Sequence, residues 1–579
     1  MIDYSRFQSA VGLNWYEIDA NLRNLLLHRL EPEDFEWCDP ELARIGALVG
    51  GPIAERAEIT DKNPPRLVKF DRWGEEVDAV VHHPAAVATK RDAWTAGISG
   101  PRLRLEAARR GRRYPELVGA GLNYLLAQAD IGMLCAVGMT SGVIGLVKRY
   151  GPPGVRDEAL ARLTAEEFDQ AWDGAMFMTE RSGGSDLGTL ATTARAAGDH
   201  WLLNGSKWFC SNVDAAAIVT LARPEGAAQG IKGVAPFLVL ARRRDGRRNG
   251  ISIRRLKDKL GTRSVPTAEV DFVDAEAYLL ADSDGAAQGG RDGRGINRMM
   301  EMVNSSRHGV AVMGLGVMRR AFVESAIFAA QRTAFGRRLW ELPMMRETLV
   351  GMAVELEATA ALVFEAAQSE ADSRLLTALA KLRATRRGVE TASQALEVHG
   401  GNGYIEDWPL ARLLRDAQAN PVWEGTENII CLDVLRALRS EKVMQSALAR
   451  LHGVLEAAVP ELGGLRAVLA RSLEEAVEAL GFLAGCERDL AELRARGFAN
   501  YLADLFEAAL LLEEAAWELE RSGNARKAVV AALFIKRRLV VPAGRGIASA
   551  DRTLLDLFEP LVGYGEVTWA QARRAISLT

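Results

Sequence analysis

The chain has few cysteines, and their spacing excludes both a disulfide framework and a zinc-binding cluster. Five occur among 579 residues, and no two of them form a CxxC pair. They are Cys38, Cys135, Cys210, Cys431 and Cys486. Isolated thiols are typical of a reducing compartment, so we expect buried or free cysteines, no bound metal and a cytoplasmic location.

An excess of charge of one sign is also lacking. The 72 basic and 76 acidic residues leave a formal charge of −4, which gives no general attraction to nucleic acid or to an anionic membrane. The first ten residues, MIDYSRFQSA, lack the basic and apolar regions of a signal peptide. The longest apolar runs fall short of about 18 residues, so we expect no membrane-spanning helix.

Apolar periodicity divides the chain into helical blocks around one β-rich segment. Helical spacing runs from Asp92 to about Arg149 and resumes at about Ile296, whereas residues 175–280 alternate in short runs broken by Gly, Asp and Asn. We therefore predict a mostly α protein with a central β domain. The predicted domains are 1–173 (N-terminal extension and helices), 174–285 (β domain), 286–439 (helical bundle) and 440–579 (a further helical domain).

Two motifs of the β-rich segment suit a planar or anionic ligand. In MTERSGGSD (178–186), small residues let backbone amides approach a ligand closely, and Thr179 and Ser185 add hydroxyl groups. In NGSKWFCSN (204–212), we predict an NG turn followed by large alternating side chains that could wall an aromatic cofactor. A tight turn explains the first stretch, and an ordinary hairpin explains the second, about as well as a bound ligand does.

Three further motifs lie in the predicted bundle. QRTAFGR (331–337) places an arginine beside an aromatic residue, which suits a pyrophosphate and an adenine, and HGGNGY (399–404) permits close backbone approach to a ligand. PVWEGTEN (421–428) carries Glu424 on a glycine-containing turn before a helix predicted over Ile429–Leu438. Its apolar neighbours favour a role as a base, although such a glutamate is more often a helix-start residue.

The order and spacing of these motifs resemble the acyl-CoA dehydrogenase family. The matching stretches, from about residue 90 to 440, read MTE-x-x-GGSD, NGSKWFxSN, LKDKLGTRS, QRxAFG, EVHGGxGY and WEGTEN. Within that family the chain is similar to the AidB branch, on features that include Trp15, Asn63-Pro64-Pro65, His83-Pro84, Trp423 and the C-terminal appendix.

The resemblance implies a fold and a cofactor. The fold is an N-terminal helical domain, a middle β-barrel or sandwich domain and a C-terminal four-helix bundle, to which this chain adds a helical domain. FAD would lie between the β domain and the bundle and would also touch a neighbouring subunit. The implied cofactor-binding residues are Met178, Thr179, Gly184, Ser185, Phe209, Cys210 and Ser211 for the flavin ring, Arg332, Phe335, Gly400 and Gly401 for the adenosine diphosphate, and Trp423, Thr426 and Asn428 beside the base.

The resemblance also implies a reaction and partners. Glu424 would remove the α-proton of an acyl-CoA while the β-hydrogen leaves as a hydride to the flavin, giving a 2-enoyl-CoA. We expect a long or branched acyl group, an electron-transferring flavoprotein as acceptor and a homo-oligomer, a dimer of dimers. Some relatives carry the base on the helix that corresponds to Asn304–Gly316, but the matching place here is Ser306, and His308 is better explained as a packed helix residue.

Other functions were weighed against this one. A DNA-binding alkylation-response flavoprotein with little turnover needs a basic surface on residues 440–579, where Arg526-Lys527 and Lys536-Arg537-Arg538 could form a patch although acids slightly outnumber bases. A flavin-bound acyl carrier that no longer turns over also stays open. A serine hydrolase lacks the GxSxG turn, and a nicotinamide enzyme lacks the strand–GxGxxG–helix unit.

Overall fold

The computed structural model describes residues 1–369, 373–456, 459–540 and 551–577. The chain folds into two compact units, each assembled from separate stretches of sequence. Unit 1 comprises Met1–Ala54, Pro115–Ala129 and Val310–Thr579, and unit 2 comprises Glu55–Tyr114 and Asp130–Gly309. The four contiguous domains stay a prediction, and those over 286–439 and 440–579 include residues that lie outside the described ranges.

The helices account for most of unit 1 and share unit 2 with the strands. In chain order they are α1 (Ala20–Arg29), α2 (Pro32–Leu48), α3 (Ala54–Lys62), α4 (Pro84–Ala96), α5 (Arg102–Arg109), α6 (Glu116–Ala129), α7 (Ile131–Tyr150), α8 (Pro153–Leu163), α9 (Ser283–Ala287), α10 (Gly295–Gln331), α11 (Pro343–Gln368), α12 (Ser373–His399), α13 (Gly401–Tyr404), α14 (Pro409–Ala417), α15 (Glu427–Leu438), α16 (Glu441–Glu456), α17 (Gly463–Gly485), α18 (Arg488–Ser522), α19 (Arg526–Arg538), α20 (Thr553–Asp556), α21 (Phe558–Val562) and α22 (Trp569–Ile576).

The strands lie almost entirely in the segment predicted to be β-rich. They are β1 (Arg66–Phe70), β2 (Glu76–Val81), β3 (Gly174–Phe177), β4 (Thr193–Ala197), β5 (His200–Ser211), β6 (Ala217–Pro224), β7 (Ala235–Leu240), β8 (Ile251–Leu256), β9 (Thr267–Leu279), β10 (Thr333–Ala334) and β11 (Arg337–Arg338). The predicted helix-rich fold with a central β domain is confirmed.

A closed sheet forms the core of unit 2. Its strand order is β3-β6-β4-β5-β9-β7, with β8 paired to β9 and a further pairing between β6 and β7 that joins β7 back to β6. The two long strands run antiparallel, from Trp201 opposite Ala277 to Ser211 opposite Thr267. Closure removes exposed strand edges and leaves an interior filled by alternate side chains, including Phe237.

The Asn204–Gly205 pair does not form the hairpin turn predicted from its sequence. It lies inside β5, where the register against β9 shifts between Leu203 and Gly205. Gly205 has a φ of +152°, and a Cβ atom there would lie 2.5 Å from Thr192 Oγ1. The prediction was wrong because asparagine and glycine suit a β-bulge as well as a turn.

The sequence analysis did not predict the β1–β2 hairpin, which lies within the domain predicted to be helical. Strands β1 and β2 pair antiparallel, and the side chain of Asp78 on β2 is almost fully buried. Its carboxylate lies 2.8 Å from Lys69 Nζ and 3.1 Å from Arg248 Nη2 and accepts a hydrogen bond from the Ile253 amide. Since Arg248 and Ile253 lie 170 and 175 residues further along the chain, the sequence of the hairpin alone gives little indication of it.

One described helix, α7, is long and apolar enough to cross a membrane, judged by length and composition only. We had expected no helix of this kind, and the expectation was wrong. It considered only uninterrupted runs of apolar residues, whereas the apolar character of α7 continues through its glycines and hydroxyl residues. Of its apolar window, 56% is buried inside the protein. A core helix of a soluble protein passes the same test, so the finding is weak evidence for a span.

Unit 1 is a helical bundle joined to the C-terminal helices. Helix α11 packs on α12, α12 packs on α15, and α18 contacts all three. The helical apolar spacing over Met345, Leu349, Met352, Leu356 and Val363 marks the inner face of α11, where Met345 is half-buried and the other four residues are buried. The bundle and the C-terminal appendix therefore share one core.

Buried ion pairs connect the appendix to the bundle. Glu357 of α11 is fully buried and accepts hydrogen bonds from Arg526 and from Lys527 Nζ at 2.6 Å, both on α19. Lys527 Nζ also reaches Asn21 Oδ1 at 2.6 Å and Glu514 at 3.0 Å. Burial alone raises the pKa of Glu357, but the two adjacent cations outweigh it and lower the pKa to about 2.

We expect Glu357→Leu to destabilise the protein by about 3–5 kcal/mol, because it leaves two cations buried without their carboxylate. The pKa of Glu357 is about 2 in the folded protein, below the ordinary value of 4.5 for a glutamate. Its contribution is therefore fully present above about pH 4.5 and is lost as the pH falls toward 2. Urea unfolding followed by circular dichroism across this range measures both effects.

The matched control is Glu478→Leu, an exposed position on α17, which we expect to change stability by no more than about 0.5 kcal/mol. Equal stabilities for the two variants at neutral pH would contradict the role of the Glu357 cluster.

Candidate active site

A buried ion pair fixes the loop that follows β3 in unit 2. Glu180 Oε1 lies 2.8 Å from Lys207 Nζ of β5, and its other oxygen accepts the Ala191 amide at 2.7 Å. Lys207 Nζ also donates to the Leu221 carbonyl at 2.8 Å. Burial raises the pKa of Glu180, but the Lys207 ammonium outweighs it, and the net pKa lies below its usual value. The predicted residues Met178 and Thr179 directly precede this anchored carboxylate.

The glycines of the same loop allow close packing and leave the main chain exposed. Gly183 has a φ of +120°, and its amide donates to the Glu180 carbonyl at 3.0 Å. A Cβ atom on Gly184 would lie 2.5 Å from Thr179 Oγ1. Because Gly184 and Ser185 are exposed, their amides and the Ser185 hydroxyl are accessible to a ligand.

The end of β5 presents an aromatic surface beside this loop. The Trp208 amide donates to the Thr179 carbonyl at 2.9 Å, which joins the strand to the loop. Phe209 is 58% exposed, an unusual position for a large apolar side chain. Lys257 Nζ lies 3.4 Å from the centroid of the Trp208 ring, and Ser211 Oγ lies 3.0 Å from Thr267 Oγ1.

Cys210 differs from the other residues predicted to bind the cofactor. Its side chain is fully buried in the core of the barrel, and burial raises the pKa of the thiol. Alternation along β5 turns Phe209 outward and Cys210 inward. Only the main chain of Cys210 can therefore serve a ligand at this surface.

In unit 1, Glu424 lies on the turn between α14 and α15. It is half-buried and has a φ of +56°, in the left-handed region that L-residues rarely adopt, and Gly425 follows with a φ of +104°. Two amides of the turn, those of Val422 and Trp423, donate to the Ala419 carbonyl at 3.0 and 3.2 Å. The predicted base thus stands on a constrained turn immediately before a helix.

Lys381, a residue that the sequence analysis missed, contacts this turn. It is on α12 with 1% of its surface exposed, and its Nζ donates to the carbonyls of Gly425 at 2.7 Å and Asn420 at 3.3 Å. The available signal was a lysine inside an otherwise apolar helical run, LTALAKL (376–382).

The residues after Glu424 have partners in unit 1. Glu427 pairs with Arg386 at 2.7 Å and with Arg496 of α18 at 3.1 Å. Arg496 also donates to Asn428 Oδ1. Thr426 is exposed at the N-cap of α15. Asn428, predicted to serve the cofactor, therefore already uses its amide oxygen within unit 1.

The motif at 399–404 begins beside the end of the helix that precedes the motif at 331–337. His399 is buried, and its ring stacks on Phe328 near the end of α10 at 4.4 Å between centroids. Beyond that helix, Phe335 is 93% exposed at the tip of the β10–β11 hairpin, with a φ of +55°, and Arg332 is exposed beside it. Gly400 has a φ of +59° after α12, and Gly401 begins α13, so both glycines lie beside His399.

Part of the basic run of α19 considered for DNA binding is buried in unit 1. Arg526 and Lys527 are buried against Glu357. Arg538 pairs with Glu355 at 2.6 Å, Lys536 lies 3.5 Å from Asp551, and the more exposed Arg537 lies 3.8 Å from Glu355. The sequence could not indicate the pairs with Glu355 and Glu357 because these glutamates lie far away in the chain.

Some predicted features have a structural explanation instead. Met176 is buried in a core cluster of unit 2, and Met139 packs against it, so these methionines fill the core between α7 and the sheet. Ser306 and His308 both lie within α10. Among the described residues, no group of three or more His, Cys, Asp or Glu side chains could hold a metal ion, and none of the five described cysteines forms a disulfide.

Three family models match successive parts of the chain. The AidB N-terminal domain of the adaptive response protein matches residues 7–170. The acyl-CoA dehydrogenase middle domain matches residues 175–275, and the acyl-CoA dehydrogenase C-terminal domain matches residues 293–439.

Individual proteins are similar over most of their length. The putative acyl-CoA dehydrogenase AidB of Escherichia coli is 34% identical over 493 residues, which cover 78% of this chain and 84% of that protein. Acyl-CoA dehydrogenase family member 11 of Caenorhabditis elegans is 32% identical over 452 residues, covering 74% and 71%. The crystal structure of Caenorhabditis elegans ACDH-11 in complex with C11-CoA superposes with a TM-score of 0.83 and 27% identity, covering 93% of this chain and 94% of that one. The chain therefore belongs to the acyl-CoA dehydrogenase family and, within it, to the AidB-like branch.

Proposed function

We propose that this protein is an FAD-dependent acyl-CoA dehydrogenase in which Glu424 is the catalytic base. The observation that carries the proposal is the conformation of Glu424: a half-buried carboxylate on a left-handed turn, at the position where the family motif has its base. Non-glycine residues keep such a conformation only where the surroundings enforce it, and they concentrate at functional sites.

FAD is the cofactor, and the residues present fit it. The exposed ring of Phe209 supplies an apolar surface for a flat heterocycle, and Gly184 keeps the adjoining main chain free of a side chain. The hydroxyls of Thr179, Ser211 and Thr267 add hydrogen-bonding groups for the polar edge of a ring. Held by these residues, FAD would supply the acceptor for the hydride that leaves the β-carbon of the acyl group.

The protein's own residues handle the proton. Glu424 takes it from the α-carbon of the acyl thioester, and the carboxylate becomes the carboxylic acid. An α-proton is too weak an acid for a carboxylate unless the thioester carbonyl accepts hydrogen bonds as charge develops on its oxygen. The main-chain N–H of Glu424 is the donor that this chain contributes, and the half-buried Trp423 beside it helps to exclude water.

The substrate is an acyl-CoA with a long or branched acyl group, and the product is the 2-enoyl-CoA. The complex of the similar Caenorhabditis elegans protein with C11-CoA supports a chain longer than that of the short-chain enzymes. An electron-transferring flavoprotein is the proposed acceptor, and the proposed assembly is a cytoplasmic dimer of dimers. The burial of Arg526 and Lys527 weakens the case for DNA binding through α19.

Glu424→Gln is expected to slow flavin reduction by about 10²–10⁴-fold, the usual contribution of a positioned general base. The measurement is anaerobic stopped-flow bleaching of the visible flavin band with acyl-CoAs of increasing chain length. The matched control is Glu427→Gln, three residues along the chain and paired with Arg386 and Arg496, which should bleach within a few-fold of the wild-type rate. Bleaching by Glu424→Gln at the wild-type rate would exclude Glu424 as the base.

Phe209→Ala is expected to raise the Kd for FAD by about tenfold, because loss of an aromatic stacking surface costs about 1–3 kcal/mol. The melting temperature of the flavin-free protein should not change, since the side chain is 58% exposed. FAD titration of the flavin-free protein, followed by flavin fluorescence, measures the Kd. Val273→Ala, at a 61% exposed position on β9, is the control that should leave it unchanged; equal Kd values for both variants would refute the role of Phe209.

A further inference from the structure

The ammonium group of Lys381 is buried beneath the turn that carries Glu424. Only 1% of the residue is exposed, and its Nζ donates to two main-chain carbonyls, those of Gly425 and Asn420. Removing an ammonium ion from water costs several kcal/mol unless hydrogen bonds replace its hydration. A lysine is therefore an expensive choice for this position on stability grounds alone.

The two carbonyls lie at opposite ends of the turn. Asn420 precedes Pro421, and Gly425 directly follows Glu424, so a single cation bridges the start and the end of the segment. Between them, Glu424 has a φ of +56°, and Gly425 has a φ of +104°. A left-handed conformation costs an L-residue about 1–2 kcal/mol, and it persists only if other contacts enforce it.

The side chain of Asn420 gives a second, independent observation. Asn420 is fully buried, and neither polar atom of its amide has a hydrogen-bond partner among the described residues. Buried amides of this kind are usually satisfied by ordered water. Two buried residues at the turn, Lys381 and Asn420, are thus polar.

We propose that Lys381 is a positioning residue, which holds the Glu424 turn in the geometry that proton abstraction requires. This inference rests on the proposed role of Glu424 as the base. Lys381 acts through the Gly425 carbonyl and so fixes the direction of the preceding side chain. Catalytic groups need placement within about 0.5 Å, and a misplacement of about 1 Å can cost 10²-fold in rate. Its loss should therefore lower kcat rather than weaken substrate binding.

The test compares Lys381→Met with Lys527→Met in the FAD-loaded protein. Lys527 is a second buried lysine, which pairs with Glu357 and Glu514 of unit 1 and has no hydrogen bond to residues 419–427. Stopped-flow flavin reduction with a reactive acyl-CoA gives the limiting rate and the half-saturating concentration. For Lys381→Met we expect a limiting rate lower by about 10–10²-fold and a half-saturating concentration within about twofold of wild type.

The control separates positioning from general destabilisation. Lys527→Met should lower the melting temperature at least as much as Lys381→Met and yet keep the wild-type limiting rate. Lys381→Gln retains an N–H donor without the charge, and it should recover part of the lost rate. It also serves as the test variant if Lys381→Met does not fold.

A second readout does not depend on turnover. Hydrogen–deuterium exchange of the flavin-loaded protein without substrate should be faster over residues 419–427 in Lys381→Met and unchanged there in Lys527→Met. Unchanged exchange in Lys381→Met, or a limiting rate equal to that of Lys527→Met, would overturn the inference. If Glu424→Gln reduces flavin as fast as wild type, the proposed function fails instead, and the exchange result still decides whether Lys381 holds the turn.

Discussion

The backbone at Glu424 has a left-handed conformation, which L-residues rarely adopt. Contacts with the neighbouring helices maintain this conformation. Lys381 holds the turn from α12, and α12 is itself fixed by charged side chains further along the helix. Arg383 and Arg387 reach the fully buried Glu507 of α18 at 3.2 and 3.4 Å. The appended C-terminal helices therefore contribute to the rigidity of the helix from which the Glu424 turn is held, which gives the appendix a physical role.

Each unit contains a buried lysine that holds an irregular loop. In unit 2, Lys207 binds Glu180 and the Leu221 carbonyl and so fixes the loop that begins with Met178. In unit 1, Lys381 binds main-chain carbonyls around Glu424. An ammonium with three donors can connect segments that have no regular hydrogen-bonding ladder between them. Irregular loops that present functional groups can in this way be as well fixed as helices and strands.

The sequence was informative where function depends on local patterns. The helical stripes, the β-rich segment and the order of the motifs are local, and each was predicted. Most of the failures have one cause, which is that the contacts come from distant parts of the chain. Asp78 of the β1–β2 hairpin binds Arg248 and the Ile253 amide, 170 and 175 residues further on, and Arg526 pairs with a glutamate 169 residues away. The asparagine and glycine at 204–205 form a bulge only because of the neighbouring strand. Lys381 could have been noticed as a charge in an apolar run. The carbonyls of Asn420 and Gly425 that it binds could not have been inferred from the sequence.

The central claim is that this protein breaks the α and β C–H bonds of an acyl-CoA, with Glu424 as the base. The most direct test uses one reactive acyl-CoA deuterated at the α-carbon, at the β-carbon or at both, and compares the anaerobic rate of flavin reduction with that of the unlabelled compound. The account predicts that each label slows reduction and that the double label slows it further, because both bonds break in the reaction. Reduction at the same rate with every compound, or no reduction of bound FAD by any acyl-CoA, would contradict it.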